Sequence, residues 1–139
     1  MKIMSIDYGD KRTGIAFCDK REMLASPYGV ITEAYQPKLV EKIVEITEKE
    51  KPEAIVIGLP RNMDGSYGYR CDECKSLGEA LNKNVNIPID FQDERMTTVI
   101  AHGVLSDNNV RGKKRKELVD AVSAVEILQS YIDARRNKM

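Results

Sequence analysis

The sequence predicts an α/β domain on a mixed central sheet, in which an antiparallel N-terminal meander is joined to parallel strands and the sheet is flanked by helices. Three observations predict it. The chain opens as strand, tight turn, strand; its middle alternates helical spacing with short apolar runs; and it closes on a long stretch with apolar residues every three or four positions.

Lys2 to Asp7 carries apolar Ile3, Met4 and Ile6 and stops at Tyr8-Gly9-Asp10, and Thr13 to Cys18 resumes with Ile15, Ala16 and Phe17. Met23 to Thr32 contains Pro27 and Gly29, which suits an irregular or edge strand. From Pro37 the spacing turns helical through Leu39, Val40, Ile43, Val44 and Ile46, with Pro37 placed for a first turn and the helix ending before Pro52. Ala54 to Gly58 reads A-I-V-I-G, a continuous apolar run expected of a strand buried on both faces, and Leu59 to Gly68 is rich in turn formers. A helix is expected over Tyr69 to Asn84 and a strand over Ile87 to Gln92, a succession that favours parallel pairing. Thr97 can cap a helix reaching about Leu105, with Ser106 to Asn109 as a break. Leu118, Ala121, Val122, Val125, Leu128, Gln129 and Ile132 then mark a long terminal helix with one core-facing stripe.

A chain of 139 residues is long enough to bury one proper core, so a single domain over 1–139 is expected. Its 42% hydrophobic and 32% charged residues are those of a soluble globular protein, and no apolar run approaches a membrane span. Met1 to Asp7 enters a strand pattern without the organisation of a secretory signal, so a cytoplasmic location is expected. The formal net charge is zero, yet Arg111 to Met139 holds eight Lys/Arg against four Asp/Glu. Arg111, Lys113, Lys114, Arg115 and Lys116 crowd into a stretch expected to be a loop, a density that suits phosphate contacts with nucleic acid as well as it suits a solvated surface. Three cysteines are an odd number, and Cys71 and Cys74 form one C-x-x-C. A closed zinc site would need Cys18 and the lone His102 to join them from afar; ordinary thiols near a helix start are the simpler expectation.

Carboxylates stand where chemistry is expected. Asp7 ends the first strand, Asp93-Glu94 ends the last, and Asp120 lies in the first turns of the terminal helix. Carboxylates at the ends of parallel strands converge on one edge of a sheet, where ligands usually bind. Three of them supply the hard oxygen donors that Mg²⁺ or Mn²⁺ prefers. Such a site hydrolyses phosphodiesters with two ions about 3.5–4 Å apart, one activating water and the other stabilising the leaving oxygen. Acidic residues are also ordinary surface residues, and 22 occur here, so spacing alone does not single out these three.

Four blocks resemble one family. D-Y-G-D-K-R-T-G-I-A at Asp7 to Ala16, V-I-G-L-P-R-N-M-D-G-S at Val56 to Ser66, D-E-R-M-T-T-V at Asp93 to Val99, and K-R-K-E-L-V-D-A-V-S-A-V-E-I-L-Q at Lys114 to Gln129 resemble the YqgF/RuvX family, in its order and over nearly the whole chain. The resemblance implies a ribonuclease H-like fold, kinship with Holliday-junction resolvases and a link to 5′-end maturation of pre-16S ribosomal RNA. It implies that Asp7, Glu94 and Asp120 are the catalytic and metal-binding acids, and that Arg12 and Arg95 hold a phosphate or orient a carboxylate. Strand alternation predicts that Asp93 and Glu94 point to opposite faces and do not both bind metal. The loop with Asn62, Asp64 and Gly65 resembles a family signature, although Asp-Gly is explained equally by turn chemistry. Departures are Asp10, Tyr67, Cys71, Cys74 and Ile100, none of which removes a proposed ligand.

Two rivals are kept. D-Y-G-x-x-x-T-G also resembles the first phosphate hairpin of the actin and Hsp70 superfamily, but a second such hairpin and an adenosine motif are lacking. The other is a non-catalytic RNA-binding assembly factor that uses Arg111 to Lys116. A junction cutter acting on branched DNA would need a homodimer that sets two sites on two strands, whereas trimming pre-rRNA would not.

Overall fold

A computed structural model of the chain describes residues 1–9, 11–21, 24–59, 69–93 and 112–137, with the backbone alone for 69–70, 93, 112–121 and 136–137. Its elements are β1 (Ile3–Asp7), β2 (Arg12–Cys18), β3 (Ala25–Thr32), α1 (Gln36–Glu50), β4 (Ala54–Leu59), α2 (Tyr69–Asn84), β5 (Ile89–Asp93) and α3 (Gly112–Asn137). The strands form one sheet in the order β3-β2-β1-β4-β5. The meander β1-β2-β3 is antiparallel, and β1, β4 and β5 run parallel.

Strand alternation divides the core in two. Met4, Ile6, Ile15, Phe17, Ile55, Ile57 and Leu59 point to one face, where they bury Leu39, Val40 and Ile43 of α1 and Cys71, Cys74, Leu77 and Leu81 of α2. Ile3, Ala16, Cys18, Ala54 and Val56 point to the other, against Ala124, Ile127, Leu128 and Ile132 of α3. Removing each such Leu or Ile from water contributes about 2 kcal/mol, so both faces favour the layered arrangement strongly. β4 is buried along its whole length, as its unbroken apolar run requires.

Local chemistry sets the element ends. Pro37 occupies the first turn of α1, and Lys51 adopts a left-handed φ of 52° so that its N–H donates to the Thr47 carbonyl, before Pro52 prevents continuation. β3 lies at the sheet's edge and carries a bulge, where Ile15 pairs with Gly29 but Ala16 pairs with Pro27. β5 starts two residues later than expected, at Ile89, after Pro88, which has no N–H to give to the ladder.

Two expectations need correction. The basic segment is not a loop: Lys113, Lys114, Arg115 and Lys116 are in the first turns of α3, consistent with the good helix propensity of Lys and Arg. The buried stripe of α3 is also rotated, comprising Ser123, Ala124, Ile127, Leu128 and Ile132, while Val122 and Val125 are half-buried. Small Ser123 and Ala124 let the helix backbone approach β1, so contact geometry overrides simple hydrophobicity. The capped helix expected from Thr97 to Leu105 lies outside the described residues.

Candidate functional site

The parallel strands β1, β4 and β5 end on one edge, at Asp7, Leu59 and Asp93. Ile6, Ile57 and Phe91 form a row across them, so Asp7 lies one residue beyond that row and Asp93 two. Asp7 shares the parity of Ile3 and Ser5, which places it on the α3 face. In β2, Arg12 shares the parity of Gly14, Ala16 and Cys18, and Gly14 is the register partner of Asp7. Asp7 and Arg12 are thus half-buried diagonal neighbours on the same face and edge.

The turn between them needs glycine. A Cβ on Gly9 would strike the carbonyl oxygen of Arg12, so close return of the backbone there depends on the missing side chain.

Two hydrogen bonds fix how α3 lies over this face. Ser5 Oγ donates to the Ala124 carbonyl at 2.7 Å, and the Ala25 N–H donates to Gln129 Oε1 at 3.0 Å. Ala25 pairs with Cys18, at the end of β2 away from Asp7. Helix and β1 therefore run antiparallel. Four residues back along a helix from Ala124 is about 6 Å, and two residues forward along a strand from Ser5 is about 6.6 Å. Position 120 thus advances to the same edge as Asp7, on the helix face that Ala124 and Ile127 bury one and two turns later. Farther along, Tyr131 Oη donates to Asp90 Oδ2 at 3.0 Å, tying α3 to β5. Burial first, and then the Asp90 bond, raise the Tyr131 phenol above its ordinary pKa.

Glu94, Arg95, Arg111 and the loop residues Asn62, Asp64 and Gly65 lie outside the described residues; for Asp93, Asp120 and Lys113 to Lys116 the description is of backbone. Among the described residues no three His, Cys, Asp or Glu side chains gather as a ligand set. Cys71 and Cys74 are buried thiols on the α1/α2 side of the sheet and Cys18 is buried on the α3 side, so the sheet separates it from them. His102 lies outside the described residues.

Ser5, which positions α3 over the edge, was missed, and so was Thr13, a buried polar residue of β2 on the opposite, α1/α2 face. Both are polar residues inside apolar strands, and that contrast was the available signal. Ser5 anchors α3, whereas Thr13 Oγ1 is buried with no hydrogen-bond partner among the described residues.

The family model described as "RuvX: Holliday junction resolvase" matches residues 1–134. This chain belongs to the RuvX family. It is 40% identical over 135 residues to the "Putative pre-16S rRNA nuclease" of Heliobacterium modesticaldum, covering 97% of this chain and 91% of that protein. The protein of the same name from Halothermothrix orenii is 40% identical over 133 residues, covering 96% and 95%. Family and relatives together make this RuvX chain a nuclease, a hydrolase acting on ester bonds. Among solved structures it resembles RuvC of Thermus thermophilus in complex with Holliday junction substrate, with a TM-score of 0.62, 14% identity and coverage of 99% and 96%. It also resembles the Fowlpox virus resolvase in complex with Holliday junction DNA, with a TM-score of 0.62, 12% identity and coverage of 97% and 99%. The fold of this RuvX protein is ribonuclease H-like, as the four blocks implied. Among its described residues no helix is long and apolar enough to cross a membrane.

Proposed function

We propose that residues 1–139 form one metal-dependent nuclease domain whose acidic centre is Asp7, Glu94 and Asp120, and that its task is 5′-end processing of pre-16S rRNA in the cytoplasm. What supports this reading is the Ser5–Ala124 hydrogen bond, from which helix and strand rise carry position 120 toward the edge that holds Asp7. The names of the relatives supply the substrate.

The donor set fits divalent metal. Asp7 is a half-buried carboxylate at the end of β1, a hard oxygen donor. Asp120 would complete the set from α3 and Glu94 from the end of β5. When bound, Mg²⁺ or Mn²⁺ supplies Lewis acidity and activates water for attack on phosphorus. The carboxylates hold that charge in place, and Arg12, on the same face as Asp7, steadies a phosphate oxygen of the bound strand. Arg95 is assigned the same task. Arg111, Lys113, Lys114, Arg115 and Lys116 attract the phosphate backbone before the strand reaches the acids.

The family description favours a second reading, cleavage of branched DNA. That reading needs a homodimer. One comparison separates the two: a precursor rRNA fragment with its 5′ extension and a four-way DNA junction, each incubated with Mg²⁺ and either wild-type protein or Asp7→Asn. Trimming of the RNA that is lost in Asp7→Asn is the expected result. Paired cuts in the junction alone would transfer the assignment to DNA, and full function of Asp7→Asn would leave a binding factor without catalysis.

A further inference from the structure

Tyr35 breaks a local rule. It is the N-cap of α1, with extended φ −86° and ψ 112°, where Ser, Thr, Asp or Asn would satisfy an orphan helix N–H, and it makes no side-chain cap hydrogen bond. Its ring is not committed to the core either, for it is 62% exposed. Local rules are broken without compensating contacts mainly at functional positions.

The backbone beneath that ring is held firmly. The Tyr35 N–H donates to Glu33 Oε2 at 3.3 Å, and Glu33 Oε1 pairs with Lys42 Nζ at 3.1 Å. The Lys42 bond first, and the Tyr35 N–H second, keep the Glu33 carboxyl below the ordinary carboxylate range. The location is the same sheet edge as Asp7. Thr32 pairs with Arg12, the Glu33 N–H donates to the Lys11 carbonyl, and Gln36 Nε2 reaches the hydroxyl of Tyr8, the residue after Asp7, at 3.5 Å. Lys11, whose carbonyl accepts from Glu33, and Lys38, three residues beyond Tyr35, are both exposed, and the first turn of α1 holds no acidic residue.

We propose that Tyr35 is a stacking platform for a base of single-stranded nucleic acid, with Lys11 and Lys38 holding the flanking phosphates as the strand crosses the sheet edge toward Asp7. This rests on the nuclease reading and specifies its substrate as an unpaired segment beside the cleavage position. An aromatic face takes any base, because every base has a π-face, and it is closed to a base stacked within a duplex. An exposed phenol ring whose backbone is anchored at that sheet edge, with exposed Lys38 three residues on and Lys11 bonded through its carbonyl to Glu33, meets that requirement.

The test measures binding in EDTA, so that no strand is cut, with a single-stranded RNA of about a dozen nucleotides carrying one 2-aminopurine, its DNA counterpart and a blunt RNA duplex. Tyr35→Ala should raise Kd for the single strands about tenfold and abolish the 2-aminopurine quench, with the duplex affected little. Tyr35→Phe should behave as wild type. Tyr35→Ser should weaken single-strand binding equally while raising the melting temperature, since it restores a cap, and this separates lost stacking from lost folding. Tyrosine dependence with either RNA or DNA supports the platform, and the ratio of the two affinities reports which sugar is preferred. Wild-type affinity in both Tyr35→Ala and Tyr35→Ser, an equal loss on the duplex, or no single-strand binding by the wild type overturns it. Cleavage by the wild type in Mg²⁺ is read separately: its absence would count against the nuclease reading and leave the binding result standing.

Discussion

Ser5 of β1 and Ala124 of α3, 119 positions apart, are joined by a 2.7 Å hydrogen bond from the serine hydroxyl to the helix carbonyl. The bond is buried and lies one helical turn from position 120 and two strand residues from Asp7. It sets the phase of the helix against the strand that carries the first acid.

Ser5→Ala should therefore cost about 1 kcal/mol of stability, the net contribution of one neutral hydrogen bond. A drop of roughly 4 °C in Tm is the corresponding shift for a domain of this size. The cleavage rate should fall further than that loss of stability explains, with nucleic-acid affinity nearly unchanged, because the helix is free to slide. Urea unfolding and single-turnover cleavage measure the two effects. A destabilised variant with an unchanged cleavage rate would limit the bond to a structural role.

Divalent metal should be required, with Mg²⁺ or Mn²⁺ active and Ca²⁺ poor. Ca²⁺ takes longer and looser oxygen coordination, so it can fill the carboxylates without holding the reacting atoms in line. Cleavage is measured in each metal and in EDTA. Equal rates in EDTA and Mg²⁺ would remove the carboxylate mechanism.

The parts of the fold legible in the sequence were those with strong local punctuation. Pro37 and Pro52 bracket α1, Tyr8-Gly9 ends β1, and the A-I-V-I-G run of β4 has no polar residue to confuse its period. The phase of α3 was not legible, because Val122 and Val125 are more apolar than Ser123 and Ala124, and it takes the distant Ser5 hydroxyl to select the smaller pair. The basic segment misled for a related reason. Density of charge resembles a loop, yet Lys and Arg are good helix formers, and a helix start needs no apolar residue on its exposed side. Of the proposed site residues, Asp7 was legible as the end of the first strand and Arg12 only through the family resemblance; Tyr35 gave no signal, since what sets it apart is a side-chain cap that it does not make.

Helical placement of Lys113 to Lys116 sharpens what their neutralisation should do. Consecutive helical positions are set about 100° apart around the axis, so four bases within one turn are not expected to share one phosphate track. Replacing all four with Gln should weaken binding across sequences and lower the salt slope by about 0.7 to 0.9 for each base that contacts phosphate, giving a total short of four full contacts. Affinity measured from low to high salt gives the slope. An unchanged slope would make this turn of α3 a solvated surface.

Glu94→Gln should abolish cleavage with the fold and most nucleic-acid affinity intact, whereas Asp93→Asn should lose roughly 10- to 100-fold at most, as expected of a residue that orients a ligand. Asp90, one of the alternating positions of β5, meets Tyr131 of α3, and Gln92 shares its parity. Asp7 lies on that same α3 face. If alternation carries on past Gln92, the next residue of that parity is Glu94, and Asp93 belongs to the other set. Gln keeps the volume of Glu and removes one charge from a cluster of like charges, so thermal stability should hold or rise while metal affinity falls. Melting, metal titration and cleavage compared for the two variants decide the matter. A dead Asp93→Asn beside an active Glu94→Gln would move the ligand by one residue and require β5 to bulge where it leaves β4.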